Sequence, residues 1–262
     1  MRSPKALWIA GLLVLVVISL WKALNVYTEW LWISQVGYAS VFVTIYKARL
    51  VLLLVVGAVL FFWLWGNCRI ARRSTSEDIT FIGKRLLPPA ERAAIEQHID
   101  KAIIIVTLLV AVVGAILASH RALPLLQFMN STSFTGDDGT VLTDPIFGRE
   151  IAFYVFRLPF YRDLFGWAFQ FFVVTTLIVA ALHYLNGGIQ IQSQFQRVKP
   201  GVKVHLSVLL AMLAVLKAIG YQLDKFDLLY SPAGQVFGAS YTDVNARLPA
   251  LNLLILISLF AA

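Results

Sequence analysis

The chain has 262 residues, of which 59% are apolar, 13% aromatic and 14% charged, and it carries a net charge of +8. Its mean hydropathy is strongly positive, which excludes an ordinary soluble domain. The basic residues lie in loops between apolar blocks, so they read as signals of membrane orientation and not as a nucleic-acid surface.

The apolar blocks fall at 7–24, 50–66, 102–119, 164–185, 205–221 and 248–262. Each approaches the roughly 20 residues that carry a helix across about 30 Å of hydrocarbon. Arg2 and Lys5 precede the first block as in a signal peptide, but no small-residue cleavage site follows. Trp21, Lys22, Tyr27, Trp30 and Trp32 then form an interfacial belt, so this block reads as a retained first helix.

Cys68 stands after the second block, before Arg69, Arg72 and Arg73. As the single cysteine it forms no intrachain disulfide, and it reads as an inert interfacial thiol in preference to a palmitoylation site. The loop 67–101 holds most of the charge on its side, and Pro88-Pro89 is placed to open a solvated helix through Glu91, Arg92 and Glu96 into the third span. Arg92 and Glu96, four apart, pair on its exposed face.

The loop 120–163 is long and crowded with Phe147, Ile151, Phe153, Tyr154, Val155, Phe156, Phe160 and Tyr161, rings that need cover from the interface or from another domain. Within it Asp137-Asp138-Gly139 lacks the remaining ligands of a calcium loop and reads as a polar turn. Asn130-Ser131-Thr132 matches a glycosylation acceptor, though no glycan is expected. The fourth span closes at Asn186-Gly187-Gly188, where glycine takes the left-handed conformation.

Lys and Arg favour one side, which holds the amino terminus and the loops 67–101 and 186–204, so the amino terminus is placed in the cytoplasm. The last block is too short to cross comfortably and reads as a truncated span. No internal repeat of the transporter type is visible.

Few residues suggest chemistry. Lys217 is an intramembrane charge, which raises a transport pathway, but its stem can anchor it towards the headgroups near the end of its span. His183 and His205 flank one short loop and can approach each other, yet two imidazoles fall short of a zinc ligand set; His98 and His120 stand alone. Phosphate loops, hydrolase elbows and zinc-protease motifs are absent from the sequence, so it points to no cofactor, no metal and no catalytic residue.

The most specific stretch is Asp224-Lys-Phe-Asp-Leu-Leu-Tyr-Ser-Pro-Ala-Gly-Gln-Val-Phe-Gly-Ala-Ser-Tyr-Thr-Asp-Val-Asn-Ala-Arg-Leu-Pro249. Ser231-Pro232-Ala233-Gly234 reads as a turn and Gly238 as a second unusual backbone step. Thr242 or Asp243 is placed to cap the next helix, Asp243 and Arg247 to pair, and Pro249 to kink it.

Together with Leu125-Leu-Gln-Phe-Met-Asn130, Thr143-Asp-Pro-Ile-Phe-Gly-Arg-Glu-Ile-Ala-Phe-Tyr-Val-Phe-Arg-Leu-Pro-Phe-Tyr161 and His205-Leu-Ser-Val-Leu-Leu-Ala211, this stretch resembles uncharacterised protein family 0182, large bacterial multipass membrane proteins. The resemblance implies a cytoplasmic amino terminus, further spans, and a large extracytoplasmic domain after the last one. It carries no activity. Relatives often have histidine where this chain has Asn245.

The expected fold is an all-α integral membrane protein, a polytopic helical bundle of about six spans with an ordered extracytoplasmic loop cap, in the bacterial plasma membrane. Three functions compete. The favoured one is a non-enzymatic anchor or scaffold whose partners are the bilayer and an extracytoplasmic domain or envelope protein. A transporter or channel component is the second. An envelope enzyme acting on lipid-linked substrates is the third. On the outer face the candidate recognition residues are Asp144, Arg149, Glu150, Asp224, Asp227, Tyr241, Asp243 and Arg247.

Overall fold

A computed structural model describes residues 4–74, 89–190, 197–231 and 237–262, with side chains described within 11–74, 96–189, 198–231 and 237–262 apart from 12 and 15. The described chain is helical, as a chain surrounded by hydrocarbon must be if its backbone groups are to find partners within each segment. The helices are α1 (Pro4–Gln35), α2 (Ala39–Arg73), α3 (Pro89–Ser119), α4 (Ala122–Met129), α5 (Leu158–Leu185), α6 (Pro200–Asp227) and α7 (Leu248–Ala261). Two-residue strands, Ile189–Gln190 and Arg197–Val198, pair antiparallel between α5 and α6.

Five helical stretches are long and apolar enough to cross a membrane: Ala39–Arg73, Glu96–Ser119, Phe153–Leu185, Pro200–Tyr230 and Asp243–Ala261. α1 covers the expected first block, whose opening side chains lie outside the described residues. The helices outrun the apolar blocks because their polar flanks stay helical in the headgroup region, where water and lipid solvate side chains without competing for the helical hydrogen bonds.

The chain forms two compact units, 1–50 and 51–262. In the first, Tyr46 donates its hydroxyl hydrogen bond to Glu29 (3.0 Å) and Phe42 packs on Tyr46. In the second, α6 packs against both α5 and α7. Its main apolar core draws Leu64, Cys68 and Ala71 from α2, Val179 and Leu182 from α5, and Leu209 from α6. Cys68 is thus 1% exposed within a helix contact, beside the arginines that follow it.

Small residues let the helices approach. A Cβ on Gly114 would meet Leu60 at 2.6 Å, and one on Gly220 would meet the Phe165 ring at 2.5 Å. This is the packing device that membrane helices use when apolar burial alone gives little drive to associate.

Two π turns precede α5 and α7. Phe153–Arg157 and Asp243–Arg247 each close with a hydrogen bond five residues back, from Leu158 N–H to Phe153 O and from Leu248 N–H to Asp243 O. Each is followed by Leu-Pro. Proline has no N–H and its ring clashes with the carbonyl four residues back in an α-helix, so the wider turn relieves it. With its π turn, α7 belongs to a continuous helical run of 19 residues, which corrects the expectation of a block too short to cross.

Helix ends follow the sequence closely. Gly187 has φ 71° and its N–H bonds back to Tyr184 O (2.9 Å), closing α5 as expected. α3 opens at Pro89; Pro88 and the side chain of Arg92 lie outside the described residues. So does the expected turn at 232–234.

Candidate functional site

The loops that join α3 to α5 and α6 to α7 meet at one end of the second unit. The first is organised by Asp144. Its Oδ1 accepts the backbone N–H groups of Ile146 (2.9 Å) and Phe147 (2.6 Å), and its Oδ2 accepts those of Arg149 N–H (2.8 Å) and the Tyr154 hydroxyl (2.7 Å). Gly148, at φ 63°, supplies the left-handed step that lets so short a turn close. Burial raises the Asp144 pKa, but these four donors outweigh it and hold the carboxyl below its usual range. Upstream, Asp138 accepts the N–H (3.0 Å) and hydroxyl (2.7 Å) of Thr140, making the polar turn expected there.

Phe147, Phe153 and Tyr154 of this loop pack on α6, while Phe156 stacks on Phe134 and Phe160 on Phe128. Phe226 lies 5.2 Å from Phe147 and 5.0 Å from Phe153, both edge to face, and Tyr154 lies 6.0 Å from Tyr230. Tyr154, Leu158, Leu223 and Phe226 form a second buried cluster. Edge-to-face pairs of this kind add about 0.5–1.5 kcal/mol each beyond burial. Arg149 places its guanidinium over Phe153 (5.2 Å) and Phe226 (5.7 Å), and Glu150 accepts from the Ser133 hydroxyl (3.2 Å).

The second loop returns to α7 through a capping box. The Ser240 N–H donates to Asp243 Oδ2 (3.0 Å), while the Asp243 N–H donates to Ser240 Oγ (3.3 Å). Ser240 is therefore the cap, with Asp243 as its reciprocal partner, where Thr242 or Asp243 was expected as the cap. Asp243 is 1% exposed and also takes Arg247 at 2.8 Å, the pairing expected one turn on. Gly238, at φ 128°, makes the unusual backbone step.

Between α6 and α7 lies a cleft of about 430 Å³, lined by Asp224, Asp227, Tyr230, Arg247 and Leu251 among others. One residue outside the expected set holds it together. Arg162, on α5, gives Nη1 to Asp224 (2.6 Å) and Nη2 to Asp227. Such a fork suits guanidinium geometry. Nothing local announces it, because the partners are 62 and 65 residues away; the only trace in the sequence is the spacing of Asp224 and Asp227, which puts both on one face of a helix.

Of the expected recognition residues, Asp224, Asp227 and Arg247 share this cleft. Tyr241 projects, 83% exposed. Asp144 and Asp243 are consumed by internal bonds and shape the loops. Arg149 and Glu150 serve the first loop. Within this set an ion pair joins Asp243 with Arg247, as expected, while Asp144 is satisfied by backbone N–H groups and Tyr154.

Two further groups lie within the helices. The Lys217 ammonium sits over the rings of Phe169 (5.7 Å) and Tyr221 (5.1 Å), so ring faces receive the charge along its stem. At the other helix ends, His183 Nε2 is 3.1 Å from His205 Nδ1, and His205 Nε2 is 3.0 Å from Asn67 Oδ1. Asn67 Nδ2 donates to Trp63 O (2.8 Å). That bond makes Oδ1 the acceptor, so His205 carries its proton on Nε2 and accepts on Nδ1 from His183. The result is a buried polar chain joining α2, α5 and α6. Among the described residues no three His, Cys, Asp or Glu side chains gather as a metal set.

Over residues 6–262 the chain matches the model of an uncharacterised protein family, UPF0182. It is 36% identical to a UPF0182 protein of Frankia alni over 88% of this chain and 22% of that protein. A relative from Salinispora tropica is 34% identical, covering 97% of this chain and 25% of its own length. One from Corynebacterium glutamicum is 29% identical over 100% of this chain and 26% of its own. No solved structure matches. The chain belongs to the UPF0182 family and spans about a quarter of the length of the curated relatives it matches.

Proposed function

We propose that this chain is a membrane module that seats and orients an extracytoplasmic domain of the bacterial envelope. Its amino terminus lies in the cytoplasm, the loop end described above faces outward, and that end is the docking surface. The observation that carries this reading is the way the loops are built. Asp144, the capping box, the Arg162 fork and the Phe226 ring cluster use their bonds internally to hold the loops in place, while Tyr241 and Phe237 project and the cleft between α6 and α7 stays open to a partner. A rigid scaffold with adaptable residues at its rim is what recognition requires. The charge asymmetry of the loops supports the orientation, and the greater length of the relatives is in keeping with a further domain to seat.

Sidedness is tested with single cysteines read by a membrane-impermeant thiol reagent on intact cells. In a Cys68→Ala background, Thr135→Cys should label and Ser76→Cys should label only after lysis. Labelling of Ser76→Cys alone on intact cells would place the loop end inside and end this reading.

A further inference from the structure

We propose that a cleft at the opposite ends of α2 and α3 binds the phosphate headgroup of an anionic phospholipid. The cleft has a volume of about 460 Å³, within the roughly 300–1,000 Å³ of ligand pockets. Its upper wall carries Arg69, Arg72 and Arg73, which the helical spacing of three and four residues puts on one face. Arg72 is held across the cleft by Asp100 at 3.0 Å. Arg69 holds its guanidinium over the Trp65 ring, 4.8 Å from the centroid. Arg73 is exposed, with no carboxylate partner among the described residues. Among the described residues, Asp100 is the one carboxylate that lines the cleft with these three guanidiniums.

Interfacial arginines at a helix carboxyl end are common, and the helix dipole alone favours them. What sets this cleft apart is its other wall. Ile103 and Ile104 lie about one turn beyond Asp100 along α3, and with Trp65 they make the deep side apolar. Ile104 is 48% exposed and is continuous with Ile105 and Leu108 on the outer surface of the same candidate span. The site therefore offers cations at headgroup depth and hydrocarbon below them, and it opens sideways towards lipid. An amphiphile with an anionic phosphate matches both walls. A soluble phosphate matches the first alone.

The inference depends on the helices spanning a membrane and is independent of which face is outside. Native mass spectrometry of the purified protein, exchanged from nanodiscs of phosphatidylglycerol mixed with phosphatidylcholine, reads it directly. Phosphatidylglycerol should stay bound in preference to phosphatidylcholine, and Arg69→Gln with Arg73→Gln should weaken its retention by about tenfold or more. Arg69→Lys with Arg73→Lys should restore much of it. Arg72 is left in place so that its bridge to Asp100 still joins the helices, and an unchanged melting curve in detergent shows that the glutamine variant folds. Equal retention of the two lipids, equal retention by wild type and the glutamine variant, or full displacement by excess inorganic phosphate would each overturn the assignment.

Discussion

Asp144 makes its case through donors, not through a counter-ion. With its folded pKa held below the usual value, its contribution to stability is complete above the ordinary carboxylate pKa of about 3.9 and is lost as the pH falls through the lower folded value. Asp144→Asn turns one acceptor into a donor facing the Arg149 N–H and the Tyr154 hydroxyl, which should cost about 1–3 kcal/mol. Melting curves of the two proteins should differ at neutral pH and converge as the medium is acidified below about pH 4. A difference that stayed constant through that range would show that the carboxylate charge is not what holds the turn. The buried chain His183–His205–Asn67 behaves differently, because removing one partner strands the other. His205→Leu should therefore destabilise by about 1–3 kcal/mol, and adding His183→Leu should cost far less than the sum of the single changes. Simple additivity in a thermal or denaturant series would argue that the 3.1 Å contact is not a working hydrogen bond.

Among the elements, the contact of α5 with α6 is set by a glycine. A side chain at Gly220 has no room against the Phe165 ring, so Gly220→Val should destabilise the second unit by about 1–3 kcal/mol. The same change at Gly66, where a Cβ would meet nothing within 4 Å, should cost no more than the helix propensity difference; equal costs at the two positions would contradict the packing. Helix existence was legible from apolar blocks, and the closure at Gly187, the Asp243–Arg247 pair and the approach of the two histidines were legible from local spacing. The π turns were not. They answer Pro159 and Pro249 only once the helix is required to run on through them, and the sequence alone suggests a break or kink at such prolines. The burial of Cys68 was not legible either, because it follows from α5 and α6 packing on α2 and not from the neighbouring Arg69, Arg72 and Arg73. The Arg162 fork was invisible because it is made by packing α5 on α6, and no local pattern encodes a partner more than sixty residues away.

At the scale of the whole chain, large apolar residues are exposed along the candidate spans, as on Leu54, Leu109, Leu177 and Leu256. That is the surface hydrocarbon solvates, and in water it would be a liability. The two ends of the second unit are chemically distinct. One gathers arginines beside an apolar wall; the other gathers fixed loops, aromatic rings and the carboxylate cleft. In the proposed reading the first end holds lipid and the second receives a partner. The most direct measurement of that second role is photo-crosslinking in intact cells from a benzophenone amino acid at position 241, with the apolar position 256 on α7 as control. Position 241 is expected to yield peptide crosslinks to an extracytoplasmic segment of the same polypeptide or to an envelope protein, while position 256 yields lipid adducts. Lipid adducts alone from both positions, or protein crosslinks of equal yield and identity from both, would contradict a docking face at the loop end.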